Sequence, residues 1–570
     1  MSSRTFGRIT AAVIILAATL VGGIYGRRAF SQAAGGGAQG GAPQIESAYN
    51  EALQVISENY VDTVDYEKAN EAAVQGMLFS LDPHSSFFTP AEYRRLLQDQ
   101  ESRFTGIGVS ILRHRDGVYV QYPLPNTPAA RAGLRFGDRI VEVDGKDARE
   151  WTTPQVSKQV RGPEGERVTI KVERAGSEAP LYFTIARASV PQPSIRNVFM
   201  VRPGVGYIGL TGGFTQTSGD ELAAAITSLR QQGMRQIVLD LRNNPGGLLG
   251  EAIEVSSRFL PRGHSVVSVR GRDESEVREY KNVSVDPVED PLVVLINRNS
   301  ASASEIVAGA VQDHGRGLVV GENSFGKGLV QRVFPLPYGA GLTLTTAKYY
   351  TPYGRLIQRD YSGGSLYEYY FRHDPAAEAQ APTRPSNVAP PSAATPTPPP
   401  APTPTPAGPP VRTAAGRVFY GGAGIAPDHE VKPLDLATPA RARIAEESFH
   451  FVRRLVAGEV AGLESYRLTE APQLGRYPRA GELQVTDRVV EAFREFARRD
   501  PESGLTAAQV DAEAEYVRLR LRDDLITAAY GGDASGRFLL ESDPQLLRAL
   551  ELFPEARALA ESITKTLARK

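Results

Sequence analysis

Two short apolar runs constrain the fold of this chain more than any other feature. They are residues 237–241, interrupted only by Asp240, and residues 292–296. A strand that is apolar on both faces is typical of a sheet covered by helices on both sides, as parallel sheets are. An amphipathic stretch at 218–232 supplies a helix between the first run and an earlier strand at 205–210. The region 206–350 is therefore predicted to be α/β.

A serine-rich turn and a glycine-flanked lysine follow the second run. Residues 299–305 read Asn-Ser-Ala-Ser-Ala-Ser-Glu and open an amphipathic stretch, whereas residues 325–328 read Phe-Gly-Lys-Gly. At a helix N-terminus the backbone N–H groups are free and the helix dipole favours negative charge. Our hypothesis is that Ser302 attacks a peptide carbonyl and that Lys327, held neutral, accepts its proton. Ser300 and Ser304 are the competing nucleophiles.

Lys327 can act as a base only if its pKa falls. A lysine at its reference pKa of about 10.4 is almost fully protonated at neutral pH. Burial without a partner lowers that pKa. Glu305 and Glu322 are near in sequence, and a salt bridge from Lys327 to either one would weaken the hypothesis.

The first apolar run continues into Arg-Asn-Asn-Pro-Gly-Gly at 242–247. This turn lies at the carboxyl end of a predicted strand, where α/β sheets place their ligand sites. We expect the N–H of Gly246 or Gly247, together with that of Ala303, to form an oxyanion hole. The alternative is a turn that needs positive φ and nothing more.

Residues 104–187 resemble a PDZ domain in their strands, their short helix at 153–160 and their Gly-Φ-Gly-Φ loop. In PDZ domains such a loop offers backbone N–H groups to the terminal carboxylate of a peptide that adds a strand to the sheet edge. The alternative for the groove residues is that they pack the domain core. The loop and the groove correspond here to Gly106, Ile107, Gly108, Val109, Ile111, Val156 and Val160.

The composition and the N-terminal sequence limit where the protein can be located and what it can bind. The formal net charge of −1 argues against nucleic acid binding. The absence of cysteine excludes disulfides and thiolate chemistry. An apolar run at 9–25, flanked by arginines on both sides, is at the short limit for a membrane span. We expect an exported protein, either anchored to the inner cell membrane or periplasmic.

We predict an α/β multidomain chain. The C-terminal region is rich in Arg and Glu with helical apolar stripes, and we interpret it as an assembly or adaptor region, with a homo-oligomer as one outcome. The predicted segments are 1–30, signal or anchor; 31–44, Gly-rich spacer; 45–98, N-terminal helices; 99–190, PDZ domain; 195–362 and 417–436, peptidase core; 363–416, Pro-rich disordered insert; and 437–570, C-terminal helices.

Several motifs together resemble the carboxyl-terminal processing peptidases, which are PDZ-containing Ser/Lys proteases. Besides the PDZ segment they are Asp-Pro-His-Ser at 82–85, the 240–247 turn, the 300–327 segment, 351–357 and 424–428. The resemblance implies that Ser302 is the nucleophile, Lys327 the base and Gln331 an assisting glutamine. It also implies that Arg161 reaches toward the peptidase when substrate is engaged. The Pro-rich tract departs from the family pattern by separating the last two motifs.

The resemblance implies a serine endopeptidase that recognises protein substrates by an apolar C-terminal tail, with no metal or nucleotide cofactor. A chymotrypsin-like protease would need a Gly-Asn-Ser-Gly-Gly type loop, and a metalloprotease would need His-Glu-x-x-His; neither pattern occurs in the sequence. A histidine in the 82–85 turn, His84, is expected to be structural. The remaining alternative is a non-catalytic PDZ scaffold that binds protein C-termini.

Overall fold

The computed structural model describes residues 42–273, 277–284, 286–361, 369–370, 408–414, 416–434 and 438–567. The predicted N-terminal anchor and most of the Pro-rich tract lie outside these ranges. The chain divides into two compact units, Met1–Met77 and Leu78–Lys570. Within the described ranges, no helix combines the length and apolar character that crossing a bilayer requires.

The region predicted to be helical before the PDZ domain contains three helices and one short strand. Thr89 caps the third helix, as its position before Pro-Ala-Glu suggests: the Glu92 backbone N–H donates to Thr89 Oγ1, and the Thr89 backbone N–H donates to Glu92. The elements are α1, Ala42–Asn59; α2, Tyr66–Phe79; β1, Ser86–Phe88; and α3, Pro90–Asp99.

The PDZ domain is an antiparallel sheet with order β3-β4-β5-β7-β8, flanked by two helices. Its strands alternate buried and exposed side chains, for example along β7, so one face packs on the domain core. The elements are β2, Arg103–Gly106; β3, Val109–His114; β4, Gly117–Pro123; α4, Pro128–Ala132; β5, Arg139–Val143; β6, Lys146–Asp147; α5, Thr153–Val160; β7, Arg167–Glu173; β8, Leu181–Ala186; and β9, Ala188–Pro191.

The peptidase core is built on a six-stranded sheet of order β10-β11-β12-β15-β16-β21. All its neighbours pair in parallel except β10 with β11. Strands β12 and β15 are the two apolar runs, and helices cover both of their faces. Its elements are β10, Ile195–Arg202; β11, Val205–Leu210; α6, Ser218–Gln231; β12, Gln236–Asp240; α7, Leu249–Ser257; β15, Leu292–Ile296; α8, Ala303–Asp313; β16, Leu318–Gly321; and β21, His429–Glu430.

A second, antiparallel sheet completes the core and joins β1 to β18, β13 and β14, with β17 also paired to β18. A two-stranded ribbon, β19 with β20, follows the Pro-rich tract. These strands are β13, Ser265–Arg270; β14, Val277–Lys281; β17, Leu329–Pro335; β18, Gly341–Tyr350; β19, Pro410–Arg412; and β20, Val418–Tyr420.

The ends of the segment predicted as a disordered insert, 363–416, differ from that prediction. Tyr369 packs edge-on against His84, and β19 forms a strand pair within the predicted limits. The reason is local sequence: an aromatic pair and a Pro-Val-Arg strand interrupt the Pro, Ala and Thr composition that cannot bury apolar surface. The motif after the tract still meets the one before it, because the Gly424 N–H donates to the Ile357 carbonyl at 3.0 Å.

The C-terminal helices use their apolar stripes inside the chain. One group packs with Tyr119 and Phe136 of the PDZ domain, and the last two helices cover the outer face of the peptidase sheet. An assembly role beyond these contacts stays a prediction. The helices are α9, Pro439–Ala457; α10, Asp487–Arg499; α11, Ala507–Ala512; α12, Ala514–Tyr530; α13, Gly532–Leu540; α14, Pro544–Glu551; and α15, Phe553–Leu567.

Candidate active site

Ser302 occupies the turn between β15 and α8 in a conformation that serines seldom adopt. Its φ is +54° and its ψ is −111°, outside the regions comfortable for a residue with a Cβ. Such strained positions concentrate at functional sites. Ser302 is half-buried. The hydroxyls of the two competing serines are fully buried and hydrogen-bonded to the backbone. Ser300 Oγ donates to the Leu241 carbonyl at 2.8 Å, and Ser304 Oγ donates to the Asn244 carbonyl at 2.9 Å.

Glu305 fixes the serine turn and the lysine loop to each other. Its fully buried carboxylate accepts from the backbone N–H groups of Ser302 at 2.7 Å, Gly326 at 2.7 Å and Lys327 at 2.9 Å, and from Ser324 Oγ at 2.5 Å. Burial raises the pKa of Glu305 to about 7, against the opposing effect of these four donors. One side chain therefore sets the position of both predicted catalytic residues.

Lys327 follows β16 in the loop that leads to β17, and it is half-buried. Burial lowers its pKa, while the charges of Glu305 and Asp82 raise it by less. No carboxylate among the described residues forms an ion pair with its ammonium group: Glu305 holds the backbone of this loop, and Glu322 pairs with Arg298 at 3.2 Å. Neither glutamate neutralises Lys327 in the way that would weaken the proton-acceptor hypothesis.

Tyr349 is a buried site residue that the sequence did not identify. Its phenol donates a hydrogen bond to the Lys327 carbonyl and lies within hydrogen-bonding reach of the Ser302 side chain. It comes from β18, the partner strand of β17, so pairing in the second sheet places it there. Buried residues do not alternate along β18, so no local pattern pointed to Tyr349.

The glycine turn lies against the serine. A Cβ on Gly246 would stand 2.7 Å from the Ser302 Cβ and 3.0 Å from the Ala303 nitrogen, so only glycine allows this approach. The Gly246 N–H donates to Asn244 Oδ1 at 2.9 Å. The Gly246 N–H is therefore engaged within the turn, and the oxyanion hole expected from Gly246 or Gly247 with Ala303 stays a prediction.

His84 belongs to this neighbourhood as well. Its Nε2 lies 2.8 Å from the Tyr369 hydroxyl, and its backbone N–H donates to Asp82. Burial, with the nearby charge of Lys327, lowers its pKa to about 3, so the ring is neutral at physiological pH. A neutral ring beside the lysine adds apolar volume without countercharge, which fits the structural role expected for it.

Gln331 and Arg161, the two residues predicted to align Lys327, lie in the peptidase core and in the PDZ domain. Gln331 lies on β17 and its Nε2 donates to Thr345 Oγ1 at 3.4 Å. Arg161 follows α5, and its guanidinium carbon lies 4.9 Å from the centre of the Phe104 ring. Their predicted roles in aligning Lys327 stay predictions.

The predicted PDZ groove encloses a small apolar cavity of about 80 Å³. Val156 is fully buried and Val160 nearly so, and both belong to the domain core as well as to the cavity wall. Their burial matches the core-packing alternative, and their role in binding a peptide stays a prediction. The other predicted residues that line the cavity are Gly106, Ile107, Gly108, Val109, Ile111 and Arg161.

The fold and site define a class: an α/β peptidase core carrying a PDZ domain, with a serine in a strained turn at the carboxyl edge of the parallel sheet. The model of "Peptidase family S41" matches residues 204–363, and a "PDZ domain" model matches residues 119–174. The chain is 39% identical over 315 residues to the carboxy-terminal-processing protease of Bartonella bacilliformis, covering 54% of this chain and 72% of that protein. This chain belongs to the carboxyl-terminal-processing protease family of serine peptidases.

The chain is also similar to other C-terminal processing proteases. A carboxyl-terminal-processing protease of Synechocystis is 37% identical over 286 residues, which cover 49% of this chain and 66% of that protein. Among solved structures, a photosystem II D1 C-terminal processing protease is 32% identical, with a TM-score of 0.31, covering 54% of this chain and 88% of that one. The PDZ domain of a Vibrio cholerae carboxy-terminal protease in complex with peptide is 25% identical, with a TM-score of 0.15, covering 15% and 97%.

Proposed function

We propose that this protein is a serine endopeptidase in which Ser302 is the nucleophile and Lys327 the general base. The observation that carries the proposal is that one buried carboxylate, Glu305, binds the backbone of both residues, while the ammonium of Lys327 has no carboxylate partner among the described residues. A desolvated, unpaired amine loses its proton more easily than one in water. A scaffold without catalysis would not need this arrangement.

The chemistry proceeds in two balanced halves. Ser302 Oγ attacks the substrate carbonyl carbon as its proton passes to the neutral amine of Lys327, and the N–H groups of Gly247 and Ala303 stabilise the oxyanion. The resulting ammonium protonates the leaving amine, and the C–N bond breaks to leave an ester on Ser302. Water, deprotonated by Lys327, then hydrolyses the ester and restores the serine.

We further propose that the PDZ domain selects substrates by an apolar C-terminus. The support is the small apolar cavity next to the Gly106–Val109 loop, where a terminal side chain and a terminal carboxylate would fit together. The test compares one unfolded substrate with a free apolar C-terminus and the same substrate with a C-terminal amide. Faster cleavage of the free acid is expected, and equal rates would contradict selection by the tail.

The catalytic proposal is tested by Ser302→Ala and Lys327→Met on the same substrate. Removing a general base typically costs 10²–10⁴-fold in rate, so we expect losses of at least about 10²-fold in both variants. Lys348→Met is the matched control, because Lys348 is an exposed lysine on the neighbouring strand and should leave the rate unchanged. Full cleavage by either active-site variant would favour the non-catalytic scaffold.

Export to a membrane-facing compartment is a separate proposal. Its support is the arginine-flanked apolar run at 9–25 in the sequence. Cell fractionation of the full chain and of a form without this run would test it; an unchanged distribution would contradict it.

A further inference from the structure

Outside the peptidase site, two histidines and two carboxylates from distant parts of the chain converge. His114 ends β3, Asp116 lies in the hairpin that follows, and Glu446 and His450 lie four residues apart on one face of α9. We call these four residues the hairpin–helix cluster. We propose that it binds a divalent transition-metal ion, Zn²⁺ fitting best, which ties the PDZ hairpin to the C-terminal helices.

The ligand atoms of the cluster lie near one another. His114 Nδ1 lies 2.8 Å from Glu446 Oε2, His450 Nε2 lies 3.2 Å from Glu446 Oε1, and His450 Nε2 lies 3.8 Å from Asp116 Oδ1. One ligand atom from each of His114, Glu446 and His450 lies within 4.8 Å of the others. Tetrahedral zinc with bonds of about 2.0–2.1 Å separates its ligand atoms by about 3.3 Å. A separation of 4.8 Å would therefore have to close by about 1.5 Å to enclose the ion.

The donor set selects the class of ion. Two imidazoles with carboxylates favour zinc and its neighbours over magnesium or calcium, which prefer oxygen alone. Four protein ligands make a closed site of the structural kind. The nearby Arg115 does not occupy the cluster with its guanidinium, because that group is bound to Glu447 and Asp500.

Burial and the outer shell hold the ligands in place. The side chains of His114 and His450 are 6% and 10% exposed, while those of Glu446 and Asp116 are 28% and 41% exposed, so an ion can enter from the carboxylate side. His114 stacks on Phe449 at 3.6 Å between ring centres. A ring packed against the imidazole in this way fixes the orientation of the ligand.

The two ring nitrogens of His114 have different surroundings. Nδ1 faces the Glu446 carboxylate at 2.8 Å, whereas Nε2 is buried and has no hydrogen-bond partner among the described residues. Nδ1 is therefore the nitrogen that would coordinate the ion. The arrangement also explains why both histidines point at the same carboxylate.

The test uses the full chain, freed of metal by chelator dialysis and titrated calorimetrically with ZnCl₂. We expect one ion per chain and a melting temperature that rises with ZnCl₂ concentration, because an ion that binds only the folded state stabilises it. Glu446→Gln preserves the size of the side chain but removes its charge and one acceptor oxygen, and His450→Ala removes a ligand; both should abolish stoichiometric binding. Cobalt added to wild type should show the visible absorption of a tetrahedral site.

The matched control is His264→Ala. His264 also lies against another histidine, with ring centres 4.8 Å apart from those of His314, so it reports adventitious binding by paired imidazoles. Binding should survive this change. Retention of full affinity by a folded Glu446→Gln variant, loss of binding in His264→Ala, or no stoichiometric binding by wild type would each overturn the proposal.

Discussion

Replacing Glu305 with glutamine tests how the site is held together. The carboxylate accepts four hydrogen bonds, two on each oxygen. A glutamine has one acceptor oxygen, so its NH₂ group would face two donors that have lost their partner. We expect kcat to fall by about 10²-fold, since misplacing catalytic groups by about 1 Å costs that much.

The contribution of Glu305 to stability depends on pH. The folded pKa of Glu305, about 7, lies above its ordinary value of 4.5, so the folded chain binds this proton more tightly than the unfolded chain. The contribution of this group to stability is therefore highest below about pH 4.5 and is lost as pH rises toward 7, a difference of about 3 kcal/mol. Glutamine does not titrate. At pH 8, the two donors left without an acceptor in Glu305→Gln destabilise the fold by about 2–6 kcal/mol. Removing the buried charge of Glu305 offsets about half of that destabilisation.

Urea denaturation at pH 5 and pH 8 measures these quantities. The loss in free energy of unfolding caused by Glu305→Gln should be about 3 kcal/mol smaller at pH 8 than at pH 5. The rising limb of kcat/KM with pH should also move to lower pH, because the Glu305 charge raises the pKa of Lys327. Glu322→Gln, in a surface ion pair, is the control. Near wild-type kcat, or a penalty independent of pH, would refute the assigned role of Glu305.

Two further outcomes are expected. Arg355 and Asp313 form a buried ion pair at 2.6 Å. Either Arg355→Met or Asp313→Asn alone should therefore lower the free energy of unfolding by about 3–5 kcal/mol. The double variant should lose less than the sum of the two single losses, and additive losses in urea denaturation would contradict this coupling. Tyr349→Phe removes the donor to the Lys327 carbonyl and should destabilise by about 1–3 kcal/mol while lowering kcat more than it changes KM; steady-state kinetics with an unchanged kcat would show that the phenol has no role in the site.

The sequence was sufficient wherever local pattern decides structure. The strand Val205–Leu210, the strand Leu292–Ile296 and the helix Thr153–Val160 have the predicted limits, because apolar runs and caps are local signals. The serine-rich turn before a helix suggested a nucleophile but left Ser300 and Ser304 open, and the resemblance to the processing peptidases pointed to Ser302. The positive φ of Ser302 could not be predicted, since the serine pattern carries no signal for the backbone angle at that position.

Groups that meet through the fold were out of reach. Tyr349 reaches the lysine loop only because two strands pair, and His84 meets Tyr369 across 285 positions of sequence. The hairpin–helix cluster joins residues 332 positions apart. The Glu446–His450 spacing was visible on a helix, but nothing in the sequence shows that a histidine of the PDZ domain faces it.

The pairing of β16 with β21 has a consequence for how this chain tolerates inserted sequence. Asp428 binds the Val319 N–H at 2.8 Å, and Val320 pairs with His429, so the sheet itself fixes the point where the chain returns after the Pro-rich tract. With both anchor points fixed in this way, doubling the length of the intervening segment costs only about 0.6 kcal/mol of closure entropy. A longer or shorter connection between these two anchor points would therefore leave the strand pairing of the peptidase sheet in place at little cost in free energy.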